Sequence, residues 1–335
     1  MDKIYITLSK YLGENRIKKD VLLSNFSSIR IGGRAKYFFE ATSVADIKSA
    51  VKLAEQFKIP FFIIGGGTNL LISDMGFPGL IIKNKTNNIK VLGFKGRFKK
   101  LQSDIRDVFI EVDSGVSLNR LVRYSLELGL EGLQNFLGQP GSVGGALYIN
   151  AHNVKNQDFF GNHIYQAKII SAVGIEKTVS DSYFKFGYDD SILQKKADIV
   201  LSAVLKLSKV ADKDLLWQEA KDTSRYRQSS QPQGVLSSGC TFRNISQSDA
   251  MRLATPNFTK SAGYLIDRAG LKGKTIDRVQ ISPIHANFII NLGGASASSM
   301  LELINLVKRK VKNKFGVILK EEIVLVGFSK DELVY

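Results

Sequence analysis

Four apolar residues, Phe61-Phe62-Ile63-Ile64, run without a break into Gly65-Gly66-Gly67-Thr68-Asn69 and then Leu70. This junction constrains the fold more than any other stretch of the chain. The apolar run reads as a short buried strand. The glycines carry no Cβ, so a phosphate or another backbone segment can come close to their amides. Thr68 and Asn69 add side-chain hydrogen-bonding groups. A strand feeding such a loop points to a nucleotide cofactor. A tight turn with no ligand uses the same residues, so the loop alone does not decide between the two.

The familiar nucleotide loops do not fit. A dinucleotide fingerprint needs G-x-G-x-x-G opening a helix. Here the glycines lead into Leu70-Leu71-Ile72-Ser73-Asp74 and Gly76-Phe77-Pro78-Gly79, a turn-rich stretch before the strand Leu80-Ile81-Ile82. Gly273-Lys274-Thr275 fails as a phosphate loop of the Walker type, because Arg268 occupies the place of its first glycine. A second cluster, Gly138-Gln139-Pro140-Gly141-Ser142-Val143-Gly144-Gly145, is too dense in glycine for a simple turn. Together the two clusters read as loops closing on one extended ligand.

The rest of the chain alternates strands and helices. Ser43 with Asp46 forms a capping box for a helix whose buried stripe is Val44, Ile47, Val51 and Ala54. Leu118, Leu121, Val122 and Leu126 mark a helix that stops at Gly129. Residues 84–110, with Lys95, Arg97, Lys99 and Lys100, read as a basic surface excursion between strands. Strands are expected over 164–173 and 198–207, a polar helix around Asp212–Ala220, and a new unit from Ser224. The last helix is expected to start at Ser299, capped with Glu302, and to end at Gly316.

Composition narrows the function. The 335 residues suffice for two or three domains. No apolar run reaches the roughly 18 residues of a membrane span. The N-terminus lacks the pattern of a signal peptide. The single cysteine, Cys240, excludes an internal disulfide and fits a reducing cytoplasm. His152, His163 and His285 lack metal-ligand spacing, so no metal is expected. The net charge of +16 is spread along the chain without an arginine-rich arm, which argues against a nucleic-acid partner. Such a field helps capture small polyanions.

Taken in order, several blocks resemble the bacterial UDP-N-acetylenolpyruvoylglucosamine reductase (MurB) family. They are Arg30-Ile31-Gly32-Gly33, Gly65–Leu71, Gly138–Ala146 with Asn150-Ala151, and Arg227 with Gln231-Pro232. They continue with Gly239-Cys240-Thr241-Phe242-Arg243-Asn244, Ala262–Asp267, Gly270–Gly273, His285–Phe288 and Leu319–Gly327. The uninterrupted middle segment resembles the shorter, type II form. The resemblance implies an α+β fold: an FAD-binding lobe of the vanillyl-alcohol-oxidase type in two subdomains, 1–84 and 85–212, and a C-terminal α+β substrate domain, 213–318. A last segment, 319–335, carries Glu322. It implies non-covalent FAD, held by Ile64, Gly65, Gly66, Gly67, Thr68, Asn69, Leu70, Gly138, Gly141, Ser142, Gly144 and Gly145. NADPH is the implied co-substrate and the enolpyruvyl ether of UDP-N-acetylglucosamine the substrate, in a chain compatible with a monomer. Arg227 and Asn244 match substrate-contacting residues.

Cys240 falls where the family has a proton-donating serine. An unperturbed thiol, with a pKa of about 8.5, is mostly protonated near neutrality and can do the same. Glu322 matches the glutamate that steadies the intermediate. Three places depart from the family pattern. Asp189 in Gly187-Tyr188-Asp189-Asp190-Ser191 stands where the family has an arginine that polarises the enolpyruvyl carboxylate. His152-Asn153-Val154-Lys155 replaces a Gly-Ala-rich stretch, and Ile245 replaces a proline. A nearby cation, Lys185, Lys195 or Lys196, is expected to take over from the missing arginine. Two other readings stay open: another oxidoreductase of the same FAD fold, and an FAD- or UDP-sugar-binding homologue without turnover.

Overall fold

The computed structural model describes residues 2–99, 102–153, 156–329 and 331–333, without the side chains of 97–99 and 102–105. The chain divides into two compact units, each assembled from separate stretches. The first comprises 1–19, 37–66 and 79–227, and the second 20–36, 67–78 and 228–335. Cuts along the chain at 84, 212 and 318 do not trace this partition, because residues 20–36 and 67–78 leave the N-terminal stretch for the second unit.

A four-stranded sheet runs in the order Ile17–Leu22, Arg34–Ala41, Phe77–Asn84, Phe61–Ile64. Helices Lys3–Leu12 and Val44–Gln56 cover it and bury Leu8, Ile47 and Val51 with Tyr37, Phe39, Leu80 and Ile82. The expected capping box is present: Ser43 Oγ accepts the Asp46 amide at 3.1 Å, and Asp46 accepts the Ser43 amide at 3.1 Å.

A larger antiparallel sheet orders Glu176–Ser180, Ile164–Ile170, Ile199–Lys209, Gln102–Asp113 and Ile89–Lys99. Its central strand is buried on both faces. Ile199 and Leu201 join the core of the first sheet, while Val200, Ala203, Leu205 and Leu207 pack with Ile110, Leu121, Phe136 and Leu147. The surface excursion expected over 84–110 is not there. Residues 89–99 and 102–113 pair instead as a long hairpin. Charged residues are tolerated on an edge strand without loss of the backbone ladder, so a basic run does not exclude a strand. Lys100 lies outside the described residues.

In the second unit, Leu236–Cys240, Phe288–Asn291, Val279–Ile281 and Thr275–Ile276 form an antiparallel sheet. Helix Ala297–Phe315 packs on it through Met300, Ile304, Val307 and Val311. Its cap is Ser296, whose Oγ accepts the Ser299 amide at 3.0 Å, so the helix begins before the expected Ser299. Three serines close together made the cap ambiguous from sequence. Its end at Gly316, with φ 67°, is as expected.

Candidate functional site

The parallel register sets Ile64 beside Lys83 at the mouth of the first glycine loop. The Lys83 ammonium donates to the Gly65 carbonyl. A Cβ on Gly65 would lie 2.1 Å from Ser142 Oγ, and one on Gly66 would lie 2.8 Å from Gly141 Cα. The two glycine clusters therefore lie against each other, and only glycine permits the approach. Ser142 caps helix Val143–Ile149 and accepts the Gly145 amide at 3.3 Å. Gly144 donates to the Ser114 carbonyl at 2.8 Å and Gly138 to Asn119 Oδ1 at 3.1 Å. These three amides thus fix the shape of the second loop.

A cleft of about 350 Å³ opens here, lined by Gly65, Gly66, Gly141 and Ser142 and by Lys83, Lys85 and Thr86. Burial holds the Lys83 ammonium below the ordinary lysine range, and the charge of Lys85 adds to the effect. Glu40 pairs with Lys85 at 2.7 Å. Two cations at a glycine-lined cleft favour an anionic ligand. Lys83 was missed by sequence reasoning. A lysine ending an apolar run has no distinguishing pattern, and the parallel register alone brings it to the loop.

The second unit holds the expected acid and carboxylate. Cys240 ends its strand opposite Phe288, after a register shift between Ser237 and Cys240. Gly239, with φ 79°, takes up this bulge, and bulges re-aim the side chains beside them. Beyond it the chain pairs with the C-terminal segment. Thr241 C=O accepts the Glu322 amide at 2.8 Å, and Arg243 N–H donates to Lys320 C=O at 2.9 Å. Cys240 and Glu322, remote in sequence, are thereby brought onto adjoining segments. Glu321 turns to Lys308 at 2.8 Å, while Glu322 is half-buried. Asn69 Nδ2 donates to the Glu322 carbonyl at 3.1 Å, and Leu70–Ile72 pairs in parallel with Val324–Val326. The end of the first glycine segment is thus fixed to the Glu322 segment. Asn244 Oδ1 accepts the Ala262 amide at 3.1 Å, a structural bond for the residue expected on the substrate. Arg227 is half-buried on helix Lys213–Ser230 of the first unit.

Asp189 is buried, at 1% exposure, and no lysine among the described residues pairs with its carboxylate. Lys195 pairs with Asp190 at 2.9 Å, Lys196 lies 5.2 Å from the Tyr183 ring centre, and Lys185 is exposed. The group beside Asp189 is His152, with Nδ1 at 3.1 Å from Oδ1. The three lysines thus engage other groups or are exposed, and the ring beside the Asp189 carboxylate comes from the other departing segment. Val154 and Lys155 of that segment lie outside the described residues. Among the described residues, no three His, Cys, Asp or Glu side chains cluster as a metal site would require. No helix among them is long and apolar enough to cross a membrane.

Comparison with known proteins adds the following. Residues 231–326 match the family described as UDP-N-acetylenolpyruvoylglucosamine reductase, C-terminal domain. Residues 35–180 match the FAD binding domain. The UDP-N-acetylenolpyruvoylglucosamine reductase of Chlamydia felis is 35% identical over 312 residues, covering 93% of this chain and 95% of that protein. The UDP-N-acetylenolpyruvoylglucosamine reductase 1 of Bacillus cereus is 34% identical over 314 residues, with 93% and 95% covered. Among solved structures, the MurB of Thermus caldophilus aligns with a TM-score of 0.70 at 29% identity, covering 93% of this chain and 99% of that one. A VAO-type flavoprotein of Myceliophthora thermophila C1 shares the fold, with a TM-score of 0.56 at 10% identity over 93% and 85% of the two chains.

Proposed function

The chain belongs to the UDP-N-acetylenolpyruvoylglucosamine reductase family, and from that premise we infer how its own residues divide the work. It is an NADPH-dependent flavin oxidoreductase that converts the enolpyruvyl ether of UDP-N-acetylglucosamine to UDP-N-acetylmuramate, a step of peptidoglycan precursor synthesis. Bound FAD would supply the hydride chemistry between NADPH and the vinyl carbon of the substrate.

The observation that carries the cofactor assignment is the meeting of the two glycine loops beside Lys83. A pyrophosphate fits such a place: bare backbone admits it and two cations face its charge. We assign FAD to Ile64–Leu70 and to Gly138, Gly141, Ser142, Gly144 and Gly145, with Lys83 as an added anion contact. The FAD lobe is assigned to 1–212 and the substrate domain to 213–318, with 319–335 returning Glu322. Arg227 and Asn244 are assigned to the UDP-sugar. The protein is placed in the cytoplasm, where the nucleotide-linked substrate and NADPH are available.

Cys240 holds the proton that the carbon next to the newly formed C–H bond receives. Glu322, brought onto the adjoining segment, steadies the enolate-like charge that precedes this transfer. Asn69 and Thr241 hold the Glu322 backbone in place.

The test is direct. The purified protein should be yellow with bound flavin, and NADPH should be consumed in proportion to added enolpyruvyl substrate. A colourless protein that takes up no FAD, or NADPH consumption that ignores the substrate, would end the assignment.

A further inference from the structure

Asn287 lies in one of the blocks that carry the family resemblance, His285–Phe288. It is buried, at 3% exposure, and each of its four polar atoms is hydrogen-bonded. Thr241 N–H donates to the Asn287 carbonyl at 2.7 Å, and the Asn287 amide donates to His285 Nδ1 at 3.3 Å. The side chain takes up both backbone groups of one residue. Asn287 Oδ1 accepts the Phe242 amide at 2.9 Å, and Nδ2 donates to the Phe242 carbonyl at 2.7 Å. A side-chain amide offers acceptor and donor side by side, as a strand backbone does. Asn287 therefore stands in for a strand partner at Phe242.

This clamp sits just past the bulge that aims Cys240. The ladder with Phe288–Asn291 ends at Cys240, opposite Phe288. On the other edge, Thr241 C=O accepts the Glu322 amide at 2.8 Å and Arg243 N–H donates to Lys320 C=O at 2.9 Å, which bridges Phe242 to Glu321. Residues 241–243 are thus held between Asn287 on one side and the Glu322 segment on the other. Thr241 and Phe242 are each 1% exposed, so water does not replace a bond lost there. The Cys240 thiol is two residues from the clamped Phe242, and the bulge at Gly239, with φ 79°, leaves it no ladder of its own beyond that point.

We propose that Asn287 is a positioning residue of the reductase: by clamping Phe242 it fixes where the Cys240 thiol stands relative to Glu322. The proposal rests on the reductase reading above. In the step it serves, the enolate electron pair takes the thiol proton to form the C–H bond, and the thiolate stays on Cys240. Such a transfer needs the donor within hydrogen-bond reach of the carbon. A misplacement of about 1 Å is enough to cost about 10²-fold.

The experiment compares FAD-bound wild type, Asn287→Leu, Asn287→Ala, Cys240→Ala and the Cys240→Ala/Asn287→Leu double variant. Each is bleached anaerobically with one equivalent of NADPH, and a single turnover to UDP-N-acetylmuramate is then followed at saturating enolpyruvyl substrate. Both rates are read per bound flavin, so a smaller yield of folded protein does not change them. Asn287→Leu keeps the volume and removes both side-chain bonds; Asn287→Ala removes them without asking for room. Both should bleach near the wild-type rate and form product about 10²-fold more slowly, with no rise in the substrate concentration that half-saturates the turnover. In the Cys240→Ala background Asn287→Leu should add little, because the donor it positions is gone. If bleaching and product formation fall together, Asn287 only holds the fold and the proposal is wrong. A full additional loss in the Cys240→Ala background, or a wild-type product rate in the Asn287 variants, overturns it as well. Cys240→Ala at the wild-type rate removes both Cys240 and this proposal while leaving the reductase reading. Wild type that NADPH does not bleach overturns that reading, and the proposal with it.

Discussion

Cys240 shows how one residue's chemistry depends on where the backbone turns. Its strand carries a bulge at Gly239, and the chain beyond it runs beside the segment that holds Glu322. A proton donor at that point contributes about 10²–10⁴-fold to a carbon protonation. Cys240→Ala should therefore cut steady-state reduction of the enolpyruvyl substrate by that order. Cys240→Ser should keep most of it, because a hydroxyl also donates a proton. Equal rates for the alanine variant and wild type would remove Cys240 from the mechanism. Cys240 and Glu322 were singled out in the sequence by the blocks that carry the family resemblance, and the structure adds that their segments adjoin. Lys83 and His152 were not. Lys83 is an ordinary lysine until the register with Ile64 sets it beside Gly65, and His152 is an ordinary histidine until the chain returns at 189.

Elements were readable wherever their ends carried chemistry. The helix Val44–Gln56 begins where Ser43 and Asp46 said it would. The Asp46 carboxylate does more than cap: it receives Arg16 at 2.9 and 2.7 Å and the Thr42 amide at 2.9 Å. Arg16 foremost, then Thr42, holds it well below the usual carboxylate range. Asp46→Ala should cost about 1–2 kcal/mol. The sign with pH follows from linkage. A depressed pKa gives stability that is complete above the ordinary aspartate value of 3.8 and is lost as pH falls below it. Urea melts should thus show a wide gap between variant and wild type near neutrality and a narrower one at about pH 2. Elements without terminal signals were less readable. The hairpin of residues 89–99 and 102–113 went unread because its charges mimic a loop. The serine cap of the last helix went to the wrong serine because three candidates lie within four residues.

At the scale of the whole molecule, the cofactor should act as a stabiliser. A ligand that binds only the folded state adds about 2.7 kcal/mol at a concentration 100 times its Kd. Apoprotein refilled with FAD should melt correspondingly later, and its hydrogen exchange should slow first around Gly65–Gly66 and Gly141–Ser142. Lys83→Met should weaken FAD binding by about 10-fold or more. In wild type, affinity should fall as pH rises through the depressed lysine pKa, since only the charged form attracts the pyrophosphate; in Lys83→Met that alkaline loss should vanish. An FAD affinity that ignores Lys83 would remove it from the cleft. The sequence by itself determined what depends on neighbours along the chain: the strand that enters the glycines, the helix caps, the blocks that carry Cys240 and Glu322, and the family they add up to. Tertiary structure alone decided which distant residues meet: Gly65 with Ser142, Thr241 with Glu322, Asp189 with His152. The physical reason is that propensities and caps act over a turn or two of chain. Strand register and loop return bring together residues that no local pattern links, and the charges they bring together set the chemistry.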